Sequence, residues 1–440
     1  MFGLTELFYI ALKYQYSRSI KRIFMTFIKR LLILLIFTGF LISCERDLQQ
    51  PVIEYIITNP ADTGARFPNL YIDETETIHM SWILSIEDDI YALQYASLSD
   101  DRWTEARSVR VGTNFFVNWA DFPSVVGMNG EAVAAHWLRK IEGGPYAYNV
   151  NVAFPGENIR RWTDPITAHL DGTPTEHGFV SLEPLSDDRV LAIWLDGRHT
   201  DGRGHHEYSD PDKSMMIRSA EISKDGSIDR KRVIDEMVCD CCQTDLVKTA
   251  DGYAAVYRGR TEDEIRDILI SRYDTETGEW SDPITVHDDG WQIGGCPVNG
   301  PRIIANGNEV AVAWFTMSDG EAKVLLARSV DGGETFEDPI KIAGDETSGR
   351  VDLAYGNNGS VFVSWMEASE GRGLVMVREV TQYNETKEPI FVGLTDASRA
   401  SGFPRMVRQG DYFVFAWTQT NPLVRVRTAR IPIESPVLTE

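Results

Sequence analysis

Four cysteines in the middle of the chain are the residues best suited to metal or redox chemistry. Cys239, Cys241 and Cys242 share one short segment, and Cys296 follows in a glycine-rich stretch. A histidine-containing segment, 199–206, lies upstream, and thiolates with imidazoles suit copper(I) or zinc. The spacing matches no common zinc motif, and an even number of cysteines in an oxidising compartment favours disulfides. Two disulfides, a copper or zinc site and a redox-active Cys241–Cys242 pair are the alternatives, and no other cofactor is expected.

Charged residues recur at a nearly regular interval and could bind or cleave a sugar. Asp245, Arg302, Asp352 and Arg405 follow one another at spacings of 50 to 57 residues. Glycosidases need paired carboxylates or a tyrosine with a glutamate partner. Polysaccharide lyases need a Tyr or His base beside an arginine that neutralises a uronate. The sequence therefore predicts Asp245, Asp352 and His205 as catalytic residues, and Arg302 and Arg405 as substrate-binding residues.

This interval belongs to a hydrophobic pattern that recurs seven times. In each copy a hydrophobic residue is followed eleven or twelve residues later by an aromatic one, and successive aromatics are 51 to 63 residues apart. The pairs are Leu70–Trp82, Val125–Trp137, Leu182–Trp194, Leu246–Tyr257, Ile303–Trp314, Leu353–Trp365 and Met406–Trp417. A period of roughly 50 residues indicates stacked supersecondary units, none of which can bury a core alone.

Each copy has the pattern of four short antiparallel strands. In the fifth copy, apolar runs are separated by turn residues at 306–308, 318–320 and 331–333, and no helical periodicity is present. The sequence predicts an all-β fold, a β-propeller of seven blades, or of six if one copy is degenerate. The last copy has little room for a fourth strand. The segment 52–57 is therefore expected to supply that strand and to close the ring.

Propeller geometry places one residue of each copy beside the central axis. The first strand of every blade lines the channel, and side chains alternate along a strand. The residue before each hydrophobic marker therefore faces the channel. All seven are polar, namely Asn69, Ser124, Ser181, Asp245, Arg302, Asp352 and Arg405. We expect them to surround one entrance of a hydrated channel, and Asn69 joins the predicted substrate-binding residues.

Two short motifs resemble the sialidase (neuraminidase) superfamily of BNR-repeat propellers. The segment 329–336, Ser-Val-Asp-Gly-Gly-Glu-Thr-Phe, is similar to its Asp-box, and Arg-Phe-Pro at 66–68 is similar to its Arg-Ile-Pro motif. The resemblance implies substrate-binding roles for Arg66, Arg258 and Arg350 and a tyrosine-partner role for Glu183. It predicts a protein that acts on or binds glycans, as an exo-sialidase-like hydrolase or a polysaccharide lyase. A non-catalytic binding propeller and a metal- or thiol-handling lipoprotein are the alternatives.

The first 43 residues have the composition of a bacterial export signal. Basic residues precede an apolar stretch, 31–42, that is too short to span a bilayer. The sequence Leu-Ile-Ser-Cys at 41–44 resembles a lipobox, which implies lipidation of Cys44, and Glu45 after it favours the outer membrane. Met25 is an alternative start. The expected organisation is a signal peptide at 1–43, an anchor linker and closing strand at 44–57, and the propeller at 58–440.

The charge balance excludes one class of partner. The chain carries 66 acidic residues against 43 Lys and Arg, a formal net charge of −23. Such a surface repels nucleic acid and anionic lipid headgroups. We therefore expect no nucleic-acid partner and no membrane contact other than the lipid. We also expect a monomer that binds a carbohydrate or glycoconjugate.

Overall fold

Seven small antiparallel sheets surround a central axis in the computed structural model. The described residues are 56–99, 101–157, 161–201 and 211–434. The innermost strand of each sheet contacts the innermost strand of the next sheet, and the seventh contacts the first, so the ring is closed. The seven-bladed β-propeller predicted from the repeat is confirmed, and the six-bladed alternative is wrong.

The blades follow one another in chain order. Blades one and two contain β2 (Ala65–Ile72), β3 (Ile78–Glu87), β4 (Ile90–Ser99), β5 (Arg102–Trp103) and β6 (Arg107–Gly112), then β7 (Ser124–Met128), β8 (Glu131–Lys140), β9 (Tyr148–Ala153) and β10 (Ile166–Thr167). Blades three and four contain β11 (His177–Ser186), β12 (Arg189–Asp196), β13 (Met215–Ser223) and β14 (Ile228–Val238), then β15 (Asp245–Lys248), β16 (Gly252–Arg258), β17 (Ile268–Asp274), β18 (Glu279–Trp280) and β19 (Ile284–His287). Blades five and six contain β20 (Arg302–Asn306), β21 (Glu309–Thr316), β22 (Lys323–Ser329) and β23 (Ile340–Ala343), then β24 (Asp352–Tyr355), β25 (Val361–Ser369), β26 (Arg372–Val380) and β27 (Ile390–Asp396). Blade seven contains β28 (Arg405–Gln409), β29 (Tyr412–Gln419), β30 (Arg425–Pro432) and the N-terminal β1 (Ile56–Ile57).

The recurring hydrophobic pairs form the cores of the ring. The buried side chains fall into seven clusters, and each cluster contains one of the seven predicted pairs. Leu70 and Trp82, for example, pack together with Val414 and Val426 of blade seven. Each cluster therefore joins two neighbouring blades, which explains why one blade could not bury its own core.

The N-terminal strand completes the last blade, as expected. Ile56 pairs with Ala429 and Ile57 with Thr428 in antiparallel register along the outer side of β30. The Asn59 side chain adds a hydrogen bond to the Val426 carbonyl oxygen at 3.2 Å. This pairing covers an edge that would otherwise present free backbone groups. The predicted signal peptide, the lipidation site Cys44 and the first residues of the linker lie outside the described residues.

Helix is scarce in the part of the chain that the structure describes. It is limited there to three 3-10 segments, Arg198–Thr200, Pro211–Lys213 and Arg399–Ser401. None of these helices is long and apolar enough to cross a membrane.

Candidate functional site: the central channel

The channel holds a cavity of about 790 Å³ that is lined by the first strands of the blades. Its side chains form two tiers. The charged tier consists of the seven polar residues predicted from the repeat, all of which except Asp352 line the cavity, namely Asn69, Ser124, Ser181, Asp245, Arg302, Asp352 and Arg405. The apolar tier lies two residues further along each strand and consists of Tyr71, Val126, Glu183, Val247, Ile304, Ala354 and Val407. Residues two apart share one face of a strand, so the same alternation produces both tiers.

Arg302 connects the carboxylates of the charged tier. Its Nη1 donates to Asp245 Oδ1 at 2.8 Å and its Nε to Asp352 Oδ1 at 3.0 Å. Each aspartate also accepts a backbone N–H of the next blade, from Ile303 at 2.9 Å and from Met406 at 2.9 Å. Burial raises the pKa of Asp245, although Arg302 opposes that rise. The predicted catalytic aspartates are therefore held in an ion-pair network that joins blades four to seven.

An aromatic cap covers the end of the channel at which the first strand of each blade begins. We use this name for Trp119, Phe122 and Phe403, whose rings lie 5.6 Å (Trp119–Phe403) and 6.0 Å (Phe122–Phe403) apart. Residues 120 and 121 lie between Trp119 and Phe122 in the chain. The Ala120 carbonyl oxygen accepts a hydrogen bond from Gln243 Nε2 at 2.8 Å, and the Asp121 carboxylate accepts one from a backbone N–H of β11. The linker between blades one and two thus reaches blades three, four and seven.

The cap changes the expected position of the charged tier. Arg405 is buried, and its guanidinium stacks on Phe122 at 4.8 Å. At the opposite end of the same cavity, Glu74, Asn129 and Lys248 are exposed. The charged tier therefore lies inside the channel, beneath the cap, rather than around an open entrance, and the cavity opens where the first strands end.

Tyr71 and Glu183 are the two polar side chains of the apolar tier, and they form a hydrogen-bonded pair. The Tyr71 hydroxyl donates to Glu183 Oε2 at 3.1 Å across blade two. Burial raises the pKa of Glu183 to about 8, and the charge of Asp245 adds to the rise. Burial, together with Glu183, also raises the pKa of Tyr71 well above its ordinary value. At neutral pH both groups carry protons, so the pair can donate hydrogen bonds or a proton to a ligand.

Tyr71 is a residue that sequence reasoning missed. Its signal was present, because Tyr71 follows the predicted Asn69 by two positions on one strand. For Glu183, by contrast, the family resemblance implies a tyrosine partner, and Tyr71 donates a hydrogen bond to Glu183 in the structure.

The other predicted arginines lie away from the cavity lining. Arg258 is buried, and its guanidinium donates to three backbone carbonyl oxygens at 2.6 to 3.0 Å. Arg350 is buried against Trp119 at 5.0 Å and donates to the Gly402 carbonyl oxygen at 2.8 Å. Arg66 is half-buried at the start of β2. Arg258 and Arg350 thus connect loops, and His205 lies outside the described residues.

The four cysteines meet where the chain enters blades four and five. Cys241 and Cys296 form a disulfide, while Cys239 and Cys242 are free and buried. The sulfurs of Cys239, Cys241 and Cys242 lie within 4.8 Å of one another. Burial alone would raise the pKa of Cys239, but a hydrogen bond with Cys242 and the charges of Arg266 and Arg258 lower that pKa below its ordinary value. One predicted disulfide is present, and binding of copper or zinc by these thiols stays a prediction.

Removal of this disulfide should destabilise the propeller. In Cys241→Ser/Cys296→Ser we expect the free energy of unfolding to fall by about 2–4 kcal/mol, because the bond restricts a long loop of the unfolded chain. Denaturant unfolding measures the difference. Thiol titration of unreduced, unfolded Cys44→Ser protein should count the two thiols of Cys239 and Cys242. A count of four thiols would contradict the assignment, and a count of zero would indicate a second disulfide.

Comparisons with known proteins support the fold but do not identify a family or an activity. No protein-family model matches the chain, and no curated protein matches it. Among solved structures, a polysaccharide lyase of family PL25, an ulvan lyase bound to -[GlcA(1-4)Rha3S]-, superposes with a TM-score of 0.53 at 11% identity, covering 86% of this chain and 96% of the lyase. The NanB sialidase from Streptococcus pneumoniae gives 0.44 at 12% identity, covering 89% of this chain and 73% of the sialidase. A protein of unknown function from Dyadobacter fermentans gives 0.45 at 12% identity, covering 86% of this chain and 97% of that protein. At these identities the lyase match shows a shared fold alone.

Proposed function

We propose that the protein binds an uncharged glycan in its central channel. The observation that carries this proposal is the Tyr71–Glu183 pair, a protonated polar point within an otherwise apolar tier. A sugar ring presents apolar C–H faces beside hydroxyl groups, and such a lining can contact both. The cavity of about 790 Å³ lies within the range of small-molecule sites.

The charges of the channel favour a neutral ligand. Among the described residues of the charged tier, Arg302 and Arg405 already face Asp245 and Asp352 at 2.8 to 3.8 Å. An anionic sugar would have to displace one of these carboxylates and would also meet the net charge of −23. An uncharged saccharide avoids both costs.

A glycan array probed with the purified protein, followed by calorimetry on the strongest saccharide, tests this proposal. Tyr71→Phe removes one hydrogen-bonding group and should weaken binding about three- to tenfold, which corresponds to about 0.5–1.5 kcal/mol. Tyr257→Phe is the matched control, because Tyr257 is not among the cavity-lining residues and its hydroxyl donates to Asp235 Oδ2 at 3.1 Å. Equal binding by both variants, or no glycan bound by the wild type, would refute the channel as the site.

Glycoside hydrolysis is a second candidate function, favoured by the raised pKa of Glu183. A carboxylic acid that keeps its proton to about pH 8 is the acid that such a reaction needs. Glu183→Gln keeps the shape of the side chain but cannot give up a proton in this way. If the bound saccharide is turned over, Glu183→Gln should slow turnover by about 10²- to 10⁴-fold, with binding largely retained.

We also propose that the protein is exported and anchored in the outer membrane by a lipid on Cys44. The lipobox-like sequence at 41–44 and the short apolar stretch before it support this placement. Mass spectrometry of the membrane fraction should find the lipid on the wild type and not on Cys44→Ala. An unmodified wild-type Cys44 would contradict the proposal.

A further inference from the structure

Two histidines and an aspartate converge in the linker between blades two and three. His169 and Asp171 follow β10, and His177 begins β11. His169 Nδ1 lies 2.9 Å and His177 Nε2 lies 3.2 Å from the same Oδ2 of Asp171. Asp196 contributes Oδ1 at 3.6 Å from the His177 nitrogen. All four side chains are at least nine-tenths buried. The group lies in blades two and three and is separate from the Cys239–Cys242 segment.

The Nε2 atom of His177 lacks an aligned hydrogen-bond partner. The Nδ1 of the same ring lies 3.2 Å from the Thr175 carbonyl oxygen, which can only accept, so Nδ1 carries a proton. The fully buried Nε2 has no hydrogen bond, although Asp171 and Asp196 are close to it. In a neutral ring this atom directs a lone pair at two carboxylates. That arrangement is repulsive unless Nε2 binds a proton or a metal ion.

Another buried histidine shows that proximity to an aspartate does not by itself leave a ring nitrogen unpaired. His79 Nε2 lies 3.2 Å from Asp73 Oδ2 with hydrogen-bond geometry. Its Nδ1 lies 2.9 Å from the Ser97 hydroxyl. Both nitrogens of His79 are therefore satisfied, and His79 provides a matched comparison for His177.

We propose that His169 Nδ1, Asp171 Oδ2 and His177 Nε2 bind a divalent transition-metal ion. The group of His169, Asp171 and His177 offers one atom each within 4.8 Å of one another. A tetrahedral zinc ion with bonds of about 2.1 Å holds its ligand atoms about 3.4 Å apart. The separations of 2.9 Å between His169 and Asp171 and of 3.2 Å between His177 and Asp171 lie within about 0.5 Å of that value. Imidazole nitrogens with carboxylate oxygens suit zinc and require no thiolate.

Arg198 contacts both carboxylates, and Arg218 Nε lies 4.0 Å from Asp196 Oδ2. The Arg198 Nε donates to Asp196 Oδ1 at 2.7 Å, whereas the Arg198 Nη2 is 3.3 Å from Asp171 Oδ2. A bound metal ion would replace Arg198 as the cation beside Asp171, and Arg198 would remain hydrogen-bonded to Asp196. A cavity of about 410 Å³ that is lined by His169 and Thr173 borders the group.

Zinc titration of the purified protein, monitored by calorimetry and by the thermal midpoint, tests the site. We expect one equivalent of zinc to bind and to raise the midpoint. Asp171→Asn, which keeps the side-chain shape, and His177→Gln should each bind zinc at least tenfold more weakly. His79→Gln, the matched buried histidine, and the Cys239→Ser/Cys242→Ser double variant should bind zinc like the wild type.

Cobalt(II) substitution identifies the donor atoms even if His177→Gln does not fold. The cobalt complex should show ligand-field bands of nitrogen and oxygen donors, without thiolate-to-cobalt charge transfer. Absence of zinc binding by the wild type would overturn the proposal. So would binding that survives in Asp171→Asn and disappears in the cysteine variant, since that result would place the ion at the thiols.

Discussion

Replacement of Arg302 by Ala is expected to lower the free energy of unfolding by about 3–5 kcal/mol. The guanidinium neutralises Asp245 and Asp352, and both carboxylates are buried. Without it, two like charges remain in a region of low dielectric, and Arg405 lies 3.8 Å from one of them, Asp352. Desolvation of an unpaired charge is among the largest penalties that one substitution can introduce.

Denaturant unfolding of Arg302→Ala measures this effect. Arg189→Ala is the control, since Arg189 pairs with Glu221 at 3.2 Å but its side chain is 48% exposed. A pair with one exposed partner contributes about 1 kcal/mol or less. The triple variant Arg302→Met/Asp245→Asn/Asp352→Asn should recover much of the lost stability. If Arg302→Ala costs no more than Arg189→Ala, the ion-pair network does not hold blades four to seven together.

Glu183→Gln is expected to change how stability depends on pH. The folded protein holds the pKa of Glu183 at about 8, against an ordinary value of 4.5. Between these values the folded state keeps a proton that the unfolded chain releases. The contribution of Glu183 is therefore fully present below pH 4.5, is lost as the pH rises through about 8, and is constant above that. The loss amounts to at most about 1.4 kcal/mol for each pH unit in this window.

Unfolding free energies of wild type and Glu183→Gln, measured from pH 4 to pH 9, test this sign. The variant should lack the Glu183 part of the decline, so its stability relative to wild type should rise with pH. Asp121, with a pKa raised by burial to about 7, contributes a decline of the same sign that both proteins retain. Glu262→Gln, at an exposed position, is the control and should follow the wild-type curve. Parallel curves for wild type and Glu183→Gln would contradict the raised pKa.

The sequence predicted the ring well because every blade has a hydrophobic and an aromatic residue at the same two positions of its repeat. Leu70 with Trp82 and Met406 with Trp417 fall in separate cores at the same structural position. Strand alternation then placed Asp245 and Arg302 in the channel. These features are local and periodic, so they can be read from spacing alone.

The parts of the site that sequence analysis missed depend on long-range packing. Trp119 lies in a linker without periodicity, and only its stacking on Phe403 makes it a cap. His169 and His177 are separated by a loop, and their stacking depends on the path of that loop between two blades. The Cys241–Cys296 pairing likewise required the structure, because spacing does not determine connectivity.

A crystal structure of the protein with the saccharide that binds most strongly on the array tests whether the central channel is the glycan-binding site. We expect electron density for the saccharide inside the channel, with a sugar hydroxyl hydrogen-bonded to Tyr71 or Glu183 and the charged tier unchanged. Density for the saccharide on another surface, with only water beside Tyr71 and Glu183, would contradict it.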